Sequence, residues 1–233
     1  MCIRDRFTKT KQRLRKRKLR QLGIEPAPCN SATLYGGDHG WVIDKSMIDS
    51  ESVIYSVGVG SNIDFDLELI DSLGVTVHAF DPTPRSVEWV KEQELPKKFI
   101  FHPVGLSAES GFMSFYPPAK STSTHFSPVD RYGNTENEIK APVKDIDTIA
   151  SELNHRKIDL LKMDIEGAEY EVVKALPNIE ININQILIEF HHMYKGISIS
   201  QTVEAINTLK KLGFELFNIS QRTYEFSFKK KSL

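Results

Sequence analysis

Four groups of residues in this 233-residue sequence have the types and spacing to do chemistry. Gly58-Val59-Gly60-Ser61-Asn62 follows the apolar run Ile54–Val57 and precedes a helical pattern. Glycines at such a turn let a ligand approach the backbone, and the helix start aims N–H groups into the same space. Asp81 closes a second apolar run, 23 residues after Gly58. An acid about 20 residues beyond a glycine turn is placed to accept hydrogen bonds from two ribose hydroxyls. Its other use would be to cap a helix starting near Pro84. Together the turn and the acid favour a ribose-bearing ligand.

The third group is Met163-Asp164-Ile165-Glu166-Gly167, at the end of the apolar run Ile158–Met163. Strand carboxyl ends in an open α/β sheet face the ligand crevice. Continued alternation would put Asp164 and Glu166 on one side and Ile165 in the core. Two carboxylates there can bind a cation, hold a sugar hydroxyl or share a proton. The competing use has Glu166 capping the next helix and Asp164 paired with Lys162 or Arg85. The fourth group, Glu189, His191 and His192, ends the next apolar strand. A histidine at that point can serve as a general base near neutral pH. Neighbouring histidines on a strand point to opposite faces, so a joint metal chelate is not expected, and one of the two is then a surface or core residue.

The elements that must position these groups alternate. Ser52–Val59, Val75–Phe80, Ile158–Ile165 and Ile183–Phe190 read as buried strands, and Lys98–Ser107 as a third strand with its exit loop. Helical patterns lie over Phe65–Leu73, ending at Gly74, and over Arg85–Gln93, Gly167–Leu176 and Thr202–Leu212, while Lys140–Leu153 gives a strand end and a helix. Gly111–Pro118 alternates like a strand, and a short strand is expected near Trp41–Ile43. Ala119–Glu138 is polar and long for a connection, which suits a lid or binding loop. With Tyr35–Trp41 it would shape the pocket. The last two alternating runs, around the turn Ser220–Arg222, form a hairpin. Strand–helix alternation with right-handed crossovers gives a Rossmann-like, doubly wound sheet with helices on both faces. A closing antiparallel hairpin, giving seven strands, is the usual ending of the class I S-adenosylmethionine methyltransferase sheet.

Bulk properties narrow the class further. Hydrophobic content of 40% and charged content of 26% suit a soluble globular chain, and no apolar run reaches the roughly 18–20 residues that span a bilayer. Cys2 and Cys29 are the only cysteines, with no zinc-type spacing nearby, so neither a disulfide framework nor a metal site is expected, and a reducing cytoplasm is the simplest compartment. Residues 1–20 carry ten Lys/Arg and one acid, a net of +9, so the remainder holds −10 of the overall −1. Residues 1–32 read as a basic arm and linker, and 33–233 as one domain. The arm could touch an anionic membrane surface or nucleic acid, or stay a solvated extension. The acidic body and the lack of an N-P-P-Y-type tetrapeptide make nucleic acid the poorer partner. Residues 1–6 resemble a translated adapter remnant, in which case the native N-terminus lies upstream.

The strings SVGVGSN, AFDPTP, PVGLS, LLKMDIEGAEYEVV and LIEFHH resemble the FkbM-type family of S-adenosylmethionine-dependent methyltransferases, in particular its divergent methyltransferase-like branch with an upstream YGG…GW segment. The resemblance spans about Tyr35 to Lys229. It implies that Gly58 and Gly60 underlie the methionine moiety of S-adenosylmethionine, with Ser61 and Asn62 nearby. Asp81 would hold the ribose hydroxyls, with Pro82 and Thr83 shaping the adenosine side, and Gly105, Leu106 and Ser107 would flank the adenine. Asp164 and Glu166 would stand near the sulfonium and the acceptor, and His191 would be the base. The implied activity is O-methylation of a hydroxyl on a sugar or other small polar acceptor. A non-catalytic cofactor- or nucleotide-binding module and an NAD(P)-dependent oxidoreductase are the alternatives. Two positions depart from the family pattern: Ser56 stands where an acid usually receives the cofactor's amino group, and Asn62 where a glycine is usual. Asp64, Asp66 or Asp164 could supply the missing charge.

Overall fold

The computed structural model describes residues 3–118, 124, 126–133 and 135–231. Five parallel strands form the centre of the molecule: β3 (Val53–Val57), β4 (Thr76–Phe80), β5 (Phe99–His102), β9 (Lys157–Met163) and β10 (Asn182–Glu189). Two further strands, β11 (Phe214–Ile219) and β12 (Glu225–Lys230), complete a seven-stranded sheet in the order β11-β12-β10-β9-β3-β4-β5. Strand β12 is antiparallel to both neighbours. The five expected strand–helix alternations and the closing hairpin are all present, as is the mixed α/β sheet they imply.

The chain leaves β3 toward β4 and β5, then returns to place β9 on the other side of β3. The crevice at that reversal, outside the strand carboxyl ends, is where open α/β sheets hold ligands. Helices α2 (Asp64–Leu73), α3 (Pro84–Lys91), α4 (Ile146–Glu152), α5 (Glu169–Ala175) and α6 (Ile199–Lys211) follow the strands. Their starts and stops are written locally. Gly74 ends α2 with φ +66, Pro84 opens α3, Asp145 accepts the Thr148 N–H to cap α4, and Ser198 with Gln201 forms a capping box on α6. That box starts α6 three residues earlier than its apolar pattern suggested.

Four features differ from the sequence reading or add to it. The exit loop expected after the third strand is itself extended, so that β5 joins the main sheet while β6 (Gly105–Leu106) pairs with β8 (Ile139–Lys144). The strand expected at Gly111–Pro118 is β7 (Gly111–Phe115), which pairs with β8 in this side sheet. A strand β1 (Ala32–Tyr35), starting at the last residue of the expected linker and not foreseen, pairs with β2 (Trp41–Asp44) as a hairpin. The helix α1 (Ile3–Gln21) is no loose extension at its end: Leu19 and Ile24 are buried in the main core, and Arg15 lies over the Tyr224 ring at 4.7 Å. Of the expected lid Ala119–Glu138, residues 119–123, 125 and 134 lie outside the described residues.

The core is apolar on both sheet faces, as a sheet covered on both sides requires. Ile54, Leu160, Leu161, Ile186, Leu187 and Ile188 are fully buried.

Candidate active site

A cleft of about 780 Å³ opens at the carboxyl ends of β3, β4, β9 and β10, within the range of sites that hold a cofactor-sized ligand. Its walls include Gly58, Gly60, Ser61, Asn62, Asp81, Pro82, Thr83, Gly105, Leu106, Asp164, Glu166 and His191. Twelve of the fourteen sequence-predicted site residues therefore meet in one place. The other two do not reach the wall. Ser56 lies fully buried in β3 behind it. Ser107 donates its N–H to the Lys144 carbonyl at 3.0 Å, as part of the side sheet. The exit of the third strand, expected to set Ser107 beside the adenine, instead runs along β8.

The two glycines do different work. Both have positive φ, +85 at Gly58 and +57 at Gly60. A Cβ on Gly58 would lie 1.7 Å from the Asp164 carbonyl oxygen, so this glycine permits the close approach of β3 to the end of β9. Among the described residues, a Cβ on Gly60 would meet only Thr124 Oγ1, at 3.4 Å, and Gly60 lines the cleft. Asn62 accepts the Asp64 N–H at 2.9 Å and so starts the turn into α2. Its amide does locally what a glycine in that place would leave to the backbone.

Asp81 ties the loops together. Its Oδ2 accepts from the N–H groups of Val59 and Gly60 at 3.1 and 3.0 Å, and its Oδ1 from the Thr83 N–H and hydroxyl at 2.9 and 2.7 Å. A carboxylate has about four acceptor positions, and all are used within the chain. Ribose hydroxyls at Asp81 would therefore exchange with one of these donors, the Thr83 hydroxyl being the one with an alternative partner in Ser86 at 2.9 Å.

Asp164 and Glu166 converge, but not by strand alternation. Strand β9 ends at Met163, and the chain turns through Glu166 at φ +55 and Gly167 at φ +112. Neither alternative partner of Asp164 takes it: Lys162 directs its ammonium to the carbonyls of Gly58 (2.6 Å) and Val57 (3.4 Å), and Arg85 lies over Phe126. Glu166 accepts from the Tyr194 hydroxyl and lies 3.3 Å from the Arg131 guanidinium. Asp164, Glu166 and His191 each bring one possible ligand atom within 4.8 Å of the others, a spacing that could hold a divalent cation. Arg131 and Tyr194 already occupy Glu166, which makes the trio a hydrogen-bond and proton network first.

His191 is the centre of that network. Its Nδ1 lies 3.1 Å from Glu169 Oε1, the same oxygen accepts its backbone N–H at 2.9 Å, and Nε2 faces Asp164 and Glu166 at 3.6 and 3.8 Å. Burial works against the imidazolium, but the Glu169 carboxylate, with Asp164 and Glu166, prevails and pushes His191 up to about 9. Burial raises Asp164 as well, against Lys162 and His191, with Glu166 and Glu169 adding to the rise. Burial, then the charge of Asp164, pushes Glu189 up to about 8 even though Arg222 pairs with it at 2.9 Å. His192, which like His191 lies beyond the end of β10, has partners of its own. Its Nδ1 meets Thr202 Oγ1 at 3.3 Å, and burial with the nearby charge of Arg15 lowers it to about 4.

Several wall residues carried no signal of their own. Arg131 and Tyr132 come from the lid segment, with Thr124 and Phe126, while Trp41 comes from the β1–β2 hairpin. Glu169, fully buried behind His191, is the last acid of the quoted D-x-E-G-x-E string, where its place on an otherwise apolar helix face was the available clue. Among the described residues, no helix is long and apolar enough to cross a membrane.

Residues 10–216 match the family model described as the methyltransferase FkbM domain. The chain is 27% identical over 150 residues to "Probable methyltransferase-like protein 24" of Homo sapiens, covering 63% of this chain and 34% of that protein. It is 31% identical over 136 residues to "Hexuronic acid methyltransferase AglP" of Haloferax volcanii, covering 57% and 54%. The chain thus spans between a third and about half the length of these relatives. A solved structure of the methyltransferase FkbM of Methylobacillus flagellatus KT superposes over 78% of this chain and 44% of its own, with a TM-score of 0.49 at 14% identity.

Proposed function

The chain belongs to the FkbM methyltransferase family, and from that premise we propose that it transfers a methyl group from S-adenosylmethionine to a hydroxyl of a sugar or other small polar acceptor. The observation that carries this reading is the convergence, in one cleft, of an open glycine turn at Gly60 with a carboxylate-oriented histidine, His191. The residues present fit the cofactor. Gly60 leaves backbone accessible, Thr83 can yield its bond to Asp81, and buried carboxylate oxygens of Asp66 and Asp164 stand without partners at the cleft. Gly58, Gly60 and Asp81 would hold it, with Pro82, Thr83, Gly105 and Leu106 on the nucleoside side.

Bound there, S-adenosylmethionine supplies an electrophilic methyl carbon on a sulfonium. The chain's own residues supply alignment and a proton acceptor. Glu169 accepts from Nδ1 and so leaves Nε2 of His191 as the lone-pair-bearing nitrogen in the neutral ring. Nε2 points at Asp164 and Glu166, where an acceptor hydroxyl between them could hand over its proton. Arg131 and Tyr194 fix Glu166, so that its remaining acceptor capacity has a set direction. A relative named for hexuronic acid methylation supports a sugar as the acceptor class.

Incubation of the full chain with methyl-tritiated S-adenosylmethionine and a panel of uronic, neutral and amino sugars tests the reading. Label transferred to a sugar oxygen, and lost in His191→Asn, is the expected result. Cofactor binding with no transfer across sugars and other small alcohols would favour the non-catalytic binding module instead. The exposed face of α1, with Arg13, Lys16, Arg17 and Arg20, supports a peripheral contact with an anionic membrane, which co-sedimentation with phosphatidylserine vesicles would detect.

A further inference from the structure

Among the described residues, three buried side-chain oxygens meet no hydrogen-bond partner: Ser56 Oγ, Asp66 Oδ1 and Asp164 Oδ1. Asp66 and Asp164 line the cleft, and Ser56 lies behind it, beside Asp66. Buried polar atoms are nearly always partnered, and an orphaned carboxylate oxygen is costlier than an orphaned hydroxyl. Such an oxygen at a ligand wall calls for a donor from outside the chain.

The three are not equivalent. Asp164 Oδ1 lies 3.6 Å from His191 Nε2, so a small rotation gives it a donor of the chain's own. Ser56 carries no charge and can donate as well as accept. Asp66 has only neutral donors close by, the Ser56 hydroxyl and its own backbone N–H, and neither meets Oδ1 in hydrogen-bond geometry. It is 3% exposed and projects from the first turn of α2. Lys162 bears on it electrostatically, but spends its hydrogen bonds on the carbonyls of Gly58 and Val57. Burial raises the pKa of Asp66 and Lys162 offsets this only in part, so the carboxylate lacks a cation in contact with its oxygen. Asp64, two residues earlier, is exposed.

On the reading that the cleft holds S-adenosylmethionine, we propose that Asp66 receives the α-ammonium of the cofactor's methionine moiety, the role an acid at position 56 would otherwise fill. An ammonium offers three donors and a full charge to a group that can only accept. The arrangement also accounts for Ser56. A carboxylate there would be buried against Asp66, and two like charges so placed would raise each other's pKa and lose the anion that the ammonium needs. Serine at 56 and aspartate at 66 are thus one device, with the charge moved from the strand end to the helix.

Calorimetric titration of the wild-type chain, Asp66→Asn and Asp164→Asn tests this, with S-adenosylhomocysteine and with 5′-methylthioadenosine, which lacks the amino-acid portion. Asp66→Asn should weaken S-adenosylhomocysteine about 10- to 100-fold and leave 5′-methylthioadenosine within about twofold. Its thermal midpoint without ligand should not fall, because the buried oxygen it replaces has no hydrogen-bond partner. Asp66→Ser, a small polar alternative, should give the same selective loss and serves if the amide variant folds poorly. Equal losses on both compounds, or a selective loss in Asp164→Asn with Asp66→Asn unchanged, overturns the assignment. A wild-type chain that binds neither compound overturns the cofactor reading itself, whereas one that binds both, with Asp66→Asn like wild type, overturns the Asp66 role alone.

Discussion

Glu169 Oε1 takes both the backbone N–H and the Nδ1 side of His191, at 2.9 and 3.1 Å, while its other oxygen accepts the Gly167 N–H at 2.9 Å. One buried carboxylate thereby fixes the histidine ring and the turn that carries Glu166. The pairing selects the tautomer, aims Nε2 into the cleft and makes the ring a stronger base than free imidazole.

The base must be neutral to accept a proton, so activity should rise with pH until the His191 imidazolium, near 9, has lost its proton. Glu169→Gln removes a raising charge, and the limb should move down toward the ordinary imidazole range while the maximal rate falls about 10- to 100-fold. A kcat–pH profile of both proteins checks this. The same raised value makes a stability statement. The folded state gains from His191 fully below pH 6.5 and loses that gain as pH rises through about 9. The loss should shrink in Glu169→Gln.

Alanine at the two glycines should separate packing from binding. Gly58→Ala drives a Cβ into the Asp164 carbonyl, and a backbone clash of that kind should cost about 3 kcal/mol or more. Gly60→Ala has room and should cost only about 1–2 kcal/mol for its left-handed backbone, yet weaken the cofactor. Chemical denaturation paired with a binding titration distinguishes the two.

Leu19 ties the basic helix to the body. Leu19→Ala should destabilise the chain by about 2–4 kcal/mol, and deletion of residues 1–22 should do at least as much. Thermal melts of the two variants measure it.

Asp44 clasps the β1–β2 hairpin to β12 and β10. Its carboxylate meets Lys229 at 2.7 Å and Ser46 at 2.6 Å, and its backbone N–H and carbonyl are held by the Gln185 amide. Burial works against its charge, but Lys229 and the side chains of Ser31, Ser46 and Cys29 hold its pKa well below the carboxylate range. That contribution is present above pH 3.8 and is lost as pH falls further. Lys229→Met should cost about 1–3 kcal/mol at neutral pH, since the lysine is partly solvated. Urea melts at pH 7 and pH 3 should show the difference narrowing in acid.

The sheet was legible because each central strand is a short apolar run, and each glycine, proline or capping residue ends an element using local information. The side sheet was not. Whether Gly105 and Gly111–Phe115 pair with β8 or with the main sheet depends on partners far along the chain, as in Gly105 with Val143 and Phe115 with Ile139. The site's membership was readable from strand ends, since topology alone brings Gly60, Asp81, Asp164 and His191 together. Its internal wiring was not. Asp81 spends all its acceptor positions on neighbouring loops, and Glu169 and Asp66 act from helix faces that they share with buried apolar residues. An acid at such a place is the sequence trace of both, visible only once the strand ends mark where the helices begin.

Calorimetric titration of this chain with S-adenosylmethionine, and separately with NAD, decides which cofactor the cleft takes. One S-adenosylmethionine should bind per chain, with no heat of binding from NAD. Binding of NAD, or of neither compound, would contradict it.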